Sequence, residues 1–379
     1  MAIRVTRDSF EIIATKGERN QTLREQFGIA SGCSFAYKGT VSPSVNKTES
    51  TSPEQSSSPG VSVVIPAYNY ERFLKQAIDS ALQQDYPLLE VIVVDDGSTD
   101  NSAELVAELC RADNRIRYIH QKNAGLPAAR NTGIRAAKFD YVGFLDADDQ
   151  WVAGFLRKAM ETFARLPNEF AMVTCRSVVV DSQGTPMRRK LFTPGEPLEI
   201  TVRDLLLKTR FSPSAVVAKT SALKECGYFD ETLRSSEDRD MWVRIAARHR
   251  VMHNPDHLIL FRKHTGSMST HTDRMKTNTR KVFKKAYQSG VISRINLFWL
   301  QVLSFQYYQT AWMYHGERRR LYALRDLILS ILLWPVFFSP NRLNEPTFFR
   351  LRTMALFLRG MDQGVGRSNP VGKLNSASL

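Results

Sequence analysis

Short apolar runs alternate with segments of helical periodicity from residue 61 onward, and this alternation constrains the fold more than any other feature. Val61–Ile65 and Glu90–Val94 are rich in β-branched residues and have no clear polar face, as expected of strands buried on both sides of a sheet. Between them, Glu71–Gln84 places apolar residues at the spacing of one helix face. The pattern continues with predicted helices and strands at residues 103–110, 116–120, 126–137, 141–145 and 151–163. Strands that alternate with helices predict an α/β fold with a mostly parallel sheet covered on both faces.

Composition divides the chain of 379 residues into three parts. Residues 1–60 form an N-terminal extension whose last third, rich in Ser, Thr and Pro, is typical of a flexible linker. Residues 61–270 contain the α/β pattern, and residues 271–379 are basic, aromatic and mainly helical. From residue 275 to the end there are 16 Lys and Arg against 4 Asp and Glu, so this part carries +12 of the net charge of +14. An anionic partner is therefore expected to meet the last quarter of the chain.

Two predicted strands end in clusters of acidic residues. Asp95 and Asp96 follow the second strand, and Asp146, Asp148 and Asp149 follow the fourth. In open parallel sheets, ligands bind outside the carboxyl ends of the strands, where both clusters are expected to lie. Three carboxylates within four positions repel one another, and Mg²⁺ or Mn²⁺ would relieve this repulsion while it binds phosphate oxygens. The alternative is that these residues only cap the helix that follows them.

The chain lacks the glycine-rich loops that bind phosphate in two large classes of nucleotide-binding proteins. No GxxxxGK[ST] sequence occurs, and no GxGxxG sequence follows a predicted strand. These absences argue against a P-loop NTPase and against a dinucleotide-binding protein. A metal ion is expected to neutralise phosphate in this site instead.

The segment Glu237–Arg248 is predicted to be a helix with several acids in its first turn. Asp238 shares a helix face with apolar Met241, so it is expected to point inward. Asp240 is spaced to pair with Arg244 and is expected to face solvent. An inward carboxylate beside a cleft is a candidate general base. The alternative is that these acids only complement the partial positive charge of the helix N-terminus.

His264 lies in a polar loop directly after a predicted strand at residues 258–261. If this loop borders the same cleft, the imidazole is a candidate ligand for a metal ion or a diphosphate. The alternative is an ordinary solvated loop histidine.

Six motifs occur together in one characteristic order and spacing. They are VSVVIPAYN at 61–69, VDDGSTD at 94–100, ARNTG at 129–133, FLDADD at 144–149, CGYFDE at 226–231 and EDRD at 237–240. Over residues 61–270 this set resembles the family 2 glycosyltransferases of the GT-A fold. The resemblance implies a Rossmann-like, mostly parallel sheet flanked by helices, to which the C-terminal helical region would be an extension. It also implies an inverting transferase that uses a nucleotide-diphospho-sugar and Mg²⁺ or Mn²⁺.

The resemblance also implies which residues contact the nucleotide-sugar. Pro66, Tyr68 and Asp96 match nucleoside-contacting positions of the family, with Asp96 accepting a hydrogen bond from the base. Arg130 matches the first residue of an Arg-Asn pair near the donor. Arg239 departs from the pattern, because an aromatic or similar residue is common at its position, so the acceptor side is expected to differ.

Metal-binding and catalytic residues follow from the same comparison. Asp148 and Asp149, with Asp146, match the DxD region, which binds the donor ribose and the metal. Asp148, Asp149 and His264 are the implied metal ligands. Asp238 matches the catalytic base that removes the proton of the acceptor hydroxyl.

The predicted function is therefore glycosyl transfer to an acceptor hydroxyl in the synthesis of a polysaccharide, a glycolipid or a cell-surface glycan. A UDP-sugar is the first candidate donor, and a glycan or lipid-linked molecule the candidate acceptor. Two alternatives are a non-catalytic nucleotide-sugar-binding protein of the same fold and a nucleotidyltransferase. The second would need a glycine-rich first loop, which the sequence PAYN at 66–69 does not provide. No nucleic-acid-binding motif accompanies the basic C-terminal region, so no nucleic-acid partner is expected.

Basic and aromatic helices in residues 271–379 are typical of a membrane-interface location. Two uncharged stretches, at 295–316 and 327–341, contain polar residues or are too short to cross a bilayer. Residues 1–21 contain no apolar core of a secretory signal. These features predict a cytoplasmic protein that lies peripherally at the inner face of the membrane. The alternative is that the C-terminal helices only pack on the catalytic domain, and both readings can hold together.

Overall fold

The computed structural model describes residues 2–6, 9–13, 59–187, 195–209, 211–264, 271–335 and 349–362. The chain divides into two compact units, Met1–Ser58 and Pro59–Leu379. In the first unit, β1 (Ala2–Thr6) and β2 (Ser9–Ile13) form an antiparallel hairpin. The linker predicted in the last third of residues 1–60 lies almost entirely outside the described residues.

The described part of the second unit is built on one nine-stranded sheet. Its strands are β3 (Val61–Ala67), β4 (Leu89–Asp95), β5 (Ile116–His120), β6 (Tyr141–Phe144), β7 (Gln150–Trp151), β8 (Phe170–Val180), β9 (Leu198–Ile200), β10 (Val216–Lys219) and β11 (Arg250–Arg262). The strand order is β5-β4-β3-β6-β10-β8-β11-β7, with β9 beside β11. Only β7, β9 and β10 run antiparallel to the other six strands. The predicted α/β fold with a mostly parallel sheet is confirmed.

Eleven helices accompany this sheet within the described residues. They are α1 (Glu71–Leu82), α2 (Ser102–Ala112), α3 (Leu126–Ala136), α4 (Phe155–Arg165), α5 (Val202–Leu207), α6 (Thr220–Glu225), α7 (Glu237–Ala246), α8 (Thr272–Ser289), α9 (Phe298–Gly316), α10 (Arg320–Leu333) and α11 (Phe349–Asp362). The first four helices alternate with strands, as the periodicity of the sequence predicts.

Strand β3 lies between β4 and β6, and all seven of its residues are buried. Helix α3 packs onto it at a position where a side chain would not fit. A Cβ atom added to Gly133 would lie 2.3 Å from Val64 Cγ1, so only glycine allows this close approach. The ARNTG motif thus has a packing reason for its glycine.

Pro66 lies inside the first strand, which extends past the predicted end at Ile65 to Ala67. It is paired in register with Val94 of β4. The Val64 carbonyl accepts a hydrogen bond from Leu145, just after β6, and the Ala67 carbonyl accepts one from Asp96, just after β4. Because backbone groups alternate along a strand, the backbone nitrogen of Pro66 faces β6, as that of Val64 does. The ladder between β3 and β6 ends at Val64 and Phe144. The missing N–H of Pro66 therefore leaves no strand bond unmade.

The helix predicted from residue 151 begins later, at Phe155. Trp151 instead belongs to β7, where it pairs with Ile259 of β11. Its indole Nε1 donates to the backbone carbonyl of Ser214 at 2.7 Å. The acidic turn at residues 146–149 thus leads back into the sheet, and Gly154, at φ 85°, redirects the chain into α4.

The described residues after 271 are mainly helical, as predicted. Helix α8 packs against α7, and α9 packs against both α10 and α5. Lys276 and the fully buried Asp326 form an ion pair at 2.5 Å inside this helical region. Of the helices in the described residues, none combines the length and the apolar character needed to span a bilayer.

Candidate active site

The loops after β3 and β4 are joined at the carboxyl edge of the sheet. The backbone N–H of Asn69 donates to Ser98 Oγ at 3.0 Å, and Asn69 Oδ1 accepts from the Thr99 N–H at 2.7 Å. This places Tyr68 at the surface, where 45% of the residue is exposed. Pro66, in contrast, is buried in β3. Of these two predicted nucleoside contacts, only Tyr68 offers a solvent-accessible surface.

Asp96 is buried and holds together the loop that leads into α3. One of its oxygens accepts from Gln121 Nε2 at 2.7 Å and the Ala124 N–H at 2.9 Å. The other oxygen accepts from the Gly125 N–H at 2.8 Å. The carboxylate therefore has a structural task at the start of α3, and Oδ2 retains a lone pair for a further donor such as a base N–H.

Asp95 has a different environment from its neighbour. Although burial would raise it, hydrogen bonds from Ser98 and Tyr118 lower the pKa of Asp95 below its ordinary value. The Tyr118 hydroxyl donates to this carboxylate at 2.6 Å. Asp95 is thus an ionised residue that supports the β4 loop from inside.

Asp148 and His264, two of the predicted metal ligands, are in contact. Asp148 Oδ2 lies 2.9 Å from His264 Nε2, and each side chain is 15% exposed. The Tyr70 hydroxyl also donates to Asp148. Burial and the nearby Asp146 carboxylate raise the pKa of Asp148, and His264 opposes this effect. Sequence reasoning missed Tyr70, although it stands directly beside the PAYN segment.

Asp149 does not join this pair as the predicted third metal ligand. Asp149 is buried, with only 1% of its surface exposed. Its oxygens accept from Ser214 Oγ at 2.5 Å and from the backbone N–H of Arg262 at 2.9 Å. The carboxylate therefore ties the turn before β10 to the end of β11 and is engaged inside the protein. Adjacency of three acids in sequence could not indicate that their side chains point in different directions.

Arg262 is a second residue that sequence reasoning missed. Its guanidinium donates to the Asp148 carbonyl at 2.9 Å and to Gln76 Oε1 at 2.9 Å, and it lies 4.8 Å from the ring centroid of Phe73. These contacts join the end of β11 to the acidic turn and to α1. They thereby set the position of His264, two residues further along the chain.

Arg130 links the acidic turn to the start of α7. Its Nη2 donates to Asp146 Oδ1 and its Nη1 to Glu237 Oε1, each at 2.6 Å. The residue is 1% exposed. Although burial acts in the opposite direction, the two carboxylates raise the pKa of Arg130 further above its ordinary value. Sequence reasoning found Arg130 but missed Glu237, because their contact joins residues 107 positions apart.

Asp238 lies beside this ion cluster. It is partly exposed, and its carboxylate accepts the backbone N–H of Arg239. Burial raises the pKa of Asp238, while the Arg130 charge lowers it and the Asp146 charge raises it. Met241, on the same helix face, is fully buried. Asp238 is therefore a poorly solvated carboxylate within electrostatic reach of the acidic turn.

The solvent-facing position predicted for Asp240 is wrong. Asp240 does pair with Arg244, at 2.7 Å, but its side chain is only 3% exposed. Lys285 of α8 covers it and forms a second ion pair at 2.7 Å. Arg239 is also buried, and its Nε donates to Thr209 Oγ1 at 2.9 Å. Helical periodicity identified the face of Asp240 but not the later helix that packs against it.

The donor set at the acidic turn fits a hard divalent cation with few protein ligands. Asp148 brings a carboxylate oxygen, a ligand suited to Mg²⁺ or Mn²⁺, next to the imidazole nitrogen of His264, which favours Mn²⁺ over Mg²⁺. Within the described ranges, no group of three or more His, Cys, Asp and Glu side chains is arranged to hold a metal. A cation here would need the oxygens of a bound diphosphate to complete its shell.

Residues 62–227 match the family model described as Glycosyl transferase family 2. Over this segment the chain is similar to the family 2 glycosyltransferases. Among curated relatives, the uncharacterized glycosyltransferase EpsJ of Bacillus subtilis is 42% identical over 117 residues, which cover 31% of this chain and 33% of that protein. An uncharacterized glycosyltransferase of Rickettsia bellii is 34% identical over 188 residues, covering 50% of this chain and 26% of that protein. The chain thus spans a third or less of the length of these two relatives.

A solved structure shares the fold of this domain. It is a mannosyltransferase from Pyrobaculum calidifontis in complex with GDP-mannose and Mn²⁺, with a TM-score of 0.55 and 20% identity. The match covers 83% of each chain. The GT-A-type fold implied by the six motifs is confirmed.

Proposed function

We propose that this chain is an inverting glycosyltransferase that moves a sugar from a nucleotide-diphospho-sugar to an acceptor hydroxyl. One observation supports this most: Arg130 joins the acidic turn and the start of α7 through Asp146 and Glu237. It thereby brings Asp238 and the Asp148–His264 pair to the same edge of the sheet. A donor-binding turn and a separate carboxylate on an opposing helix are the two parts that a single displacement needs.

The donor site is proposed to extend along the carboxyl ends of β3, β4 and β6. Exposed Tyr68 would contact the nucleoside, with Pro66 as a buried support behind it, and Asp96 would accept a hydrogen bond from the base. Asp146 and Asp148 would bind the ribose side, and Arg130 would orient Asp146. A UDP-sugar is the first donor to test, and a GDP-sugar the second, because the mannosyltransferase of the same fold binds GDP-mannose.

Asp148 and His264 are the residues proposed to hold Mg²⁺ or Mn²⁺. When bound, the ion would supply positive charge beside the departing nucleoside diphosphate. Asp149 is proposed to support this site from behind, through its hydrogen bonds to Ser214 and Arg262.

In the proposed reaction, Asp238 accepts the proton of the acceptor hydroxyl. The acceptor oxygen then forms a bond to C1 of the sugar from the face opposite the diphosphate. The bond between C1 and the diphosphate oxygen breaks, and its electron pair leaves with the nucleoside diphosphate. One displacement inverts the anomeric centre. The positive charge of Arg130 favours the ionised form of Asp238, which is the form that a base requires.

The acceptor is proposed to be a glycan or lipid-linked molecule at the cytoplasmic face of a membrane, in polysaccharide, glycolipid or cell-surface glycan synthesis. Leu321, Ile328 and Leu332 are exposed by 79%, 42% and 71% on one side of α10, and Arg325 lies between them. Apolar side chains beside basic ones suit the surface of an anionic bilayer. We take residues 61–270 as the catalytic domain and residues 271–379 as the region that makes this contact.

The test measures release of UDP or GDP from a panel of nucleotide-sugars, with Mn²⁺ and with EDTA, alongside thermal shift. Turnover that depends on Mn²⁺ is expected for at least one donor. Asp238→Asn should lower it by about 10²–10⁴-fold, whereas Asp85→Asn, at a side chain that is 85% exposed, should leave it unchanged. A donor that raises the melting temperature of the wild type without turnover would instead favour a non-catalytic binding protein.

A further inference from the structure

Helix α8 contacts the turn that immediately precedes the acidic start of α7. Ser236 Oγ lies 3.0 Å from Thr279 Oγ1, and Asn278 Nδ2 donates to Ser235 Oγ at 3.2 Å. All four residues are buried. Ser236 has φ 59°, a left-handed conformation that residues other than glycine rarely adopt. Side chains of α8 therefore pack and hydrogen-bond around an unusual backbone turn two residues before Asp238.

A second set of contacts lies two residues after Asp238. Lys285 Nζ is 2.7 Å from Asp240 Oδ1 and 2.7 Å from Asp230 Oδ2. The Asp240 side chain is 3% exposed, so this lysine faces a carboxylate that water barely reaches. Between the two sets, Arg239 lies 5.8 Å from the ring centroid of Phe283. The contacts with α8 thus bracket Asp238 on both sides.

We propose that α8 fixes the orientation of the catalytic base, with Thr279 and Lys285 as positioning residues. The inference rests on the proposed role of Asp238 and goes beyond it, because α8 belongs to the C-terminal region and supplies none of the residues proposed to bind donor or metal. Asp238 is in the first turn of α7, so a small rotation of that turn moves its carboxylate relative to the acceptor oxygen. Displacements of about 1 Å in such groups can change rates by about 10²-fold.

The donor site does not depend on these contacts in the same way. Tyr68, Asp96 and Asp148 lie on loops after β3, β4 and β6, and the contacts of Asp96 with Gln121 and Gly125 and of Asp148 with His264 stay within residues 61–270. Loss of the contacts with α8 should therefore lower kcat while the KM of the donor stays nearly constant. Packing without a positioning role would change stability without separating these two constants.

The test compares matched variants of the full chain by the rate of UDP or GDP release. Thr279→Val removes the hydroxyl at constant shape, and Thr277→Val is its exposed control on the same helix. Lys285→Met removes both ion pairs, and Lys284→Met is its exposed neighbour. We expect kcat to fall by about 10- to 100-fold in Thr279→Val and Lys285→Met, with donor KM within about twofold of the wild type. Thr279→Ser and Lys285→Arg should restore most of kcat, and the two controls should match the wild type.

Hydrogen exchange of residues 233–246 provides a readout that does not require turnover. It should be faster in Thr279→Val and Lys285→Met than in their controls, while exchange in β3 and β4 stays unchanged. If a folded, active enzyme keeps its kcat in both variants, or loses donor affinity as much as kcat, the positioning role of α8 is refuted. If the wild type turns over no nucleotide-sugar, the proposed function fails. Separately, hydrogen exchange of residues 233–246 that is unchanged in Thr279→Val and Lys285→Met would refute the contribution of α8.

Discussion

Arg130→Met is the substitution whose consequence the structure defines best. It removes a buried guanidinium that donates to Asp146 and Glu237 at 2.6 Å each. Asp146 has a side chain that is 22% exposed and can regain some hydration, but Glu237 is only 6% exposed and cannot. Breaking a buried ion pair and leaving one partner charged typically lowers the free energy of unfolding by about 3–5 kcal/mol. We expect a loss of this size, mainly because of Glu237.

The loss should depend on pH in a defined direction. Burial already raises the pKa of Glu237 above its ordinary value of 4.5, and Arg130 opposes this shift. Without Arg130, the pKa of Glu237 in the folded protein rises further. A carboxyl group with a raised folded pKa stabilises the fold below its unfolded pKa, and this contribution disappears as pH rises toward the folded pKa. The variant should therefore differ least from the wild type near pH 4.5 and increasingly above it.

Urea unfolding at about pH 5 and about pH 8 measures this difference directly. Arg135→Met, on the same helix, is the matched control, because its ion pair with Glu231 is 3.8 Å long and about half exposed on both sides. That control should lose no more than about 1 kcal/mol. Adding Glu237→Gln to Arg130→Met removes the orphaned charge and should recover much of the loss. Equal losses for the two arginine variants, or a loss that does not change with pH, would refute this account of the cluster.

Four further predictions concern the reaction, the stability of the site and the membrane. Asp238→Asn should lower kcat by about 10²–10⁴-fold and preserve donor affinity measured by calorimetry; a parallel loss of affinity would contradict its role as a base. Asp148→Asn and EDTA should each abolish nucleotide release, and unchanged activity in EDTA would contradict the metal site. Asp149→Asn should mainly lower the melting temperature. In the wild type both carboxylate oxygens accept hydrogen bonds, from Ser214 Oγ and the Arg262 N–H, and the new amide N–H₂ would face one of these two donors. Leu321→Glu combined with Leu332→Glu should reduce co-sedimentation with anionic liposomes at low salt without changing nucleotide release; a wild type that stays in the supernatant would contradict membrane contact.

Local sequence signals identified the strands well because burial leaves a direct trace in composition. Val61 and Leu89 open strands whose residues are all buried, and an apolar run predicts this without knowledge of the neighbours. The same signals placed Asp148 and His264 at one edge, since parallel strands bring their carboxyl ends together. The direction of a single side chain in a tight turn has no such signal in the sequence. The carboxylate of Asp149 was therefore expected to face the cleft, but it bonds to Ser214 and Arg262 inside the protein.

Contacts between residues far apart in the sequence were the second thing that sequence analysis could not predict. Periodicity placed Asp240 opposite the buried stripe of α7, but Lys285 approaches from a helix that follows β11 in sequence. The contact between Arg130 and Glu237 similarly joins α3 to α7. Each position alone is an ordinary charged helix residue, and only the folded arrangement shows that the charge is balanced inside the protein.

The C-terminal region has two separate surfaces, and this decides how its roles can be distinguished. Thr279 and Lys285 of α8 face α7, whereas Leu321 and Leu332 of α10 are exposed. A deletion from residue 275 would remove both surfaces together, so loss of activity after such a deletion would say nothing about the membrane. Substitutions confined to α10 leave the contacts of α8 with α7 intact. Catalysis should therefore respond to changes on α8 and liposome binding to changes on α10, each without the other.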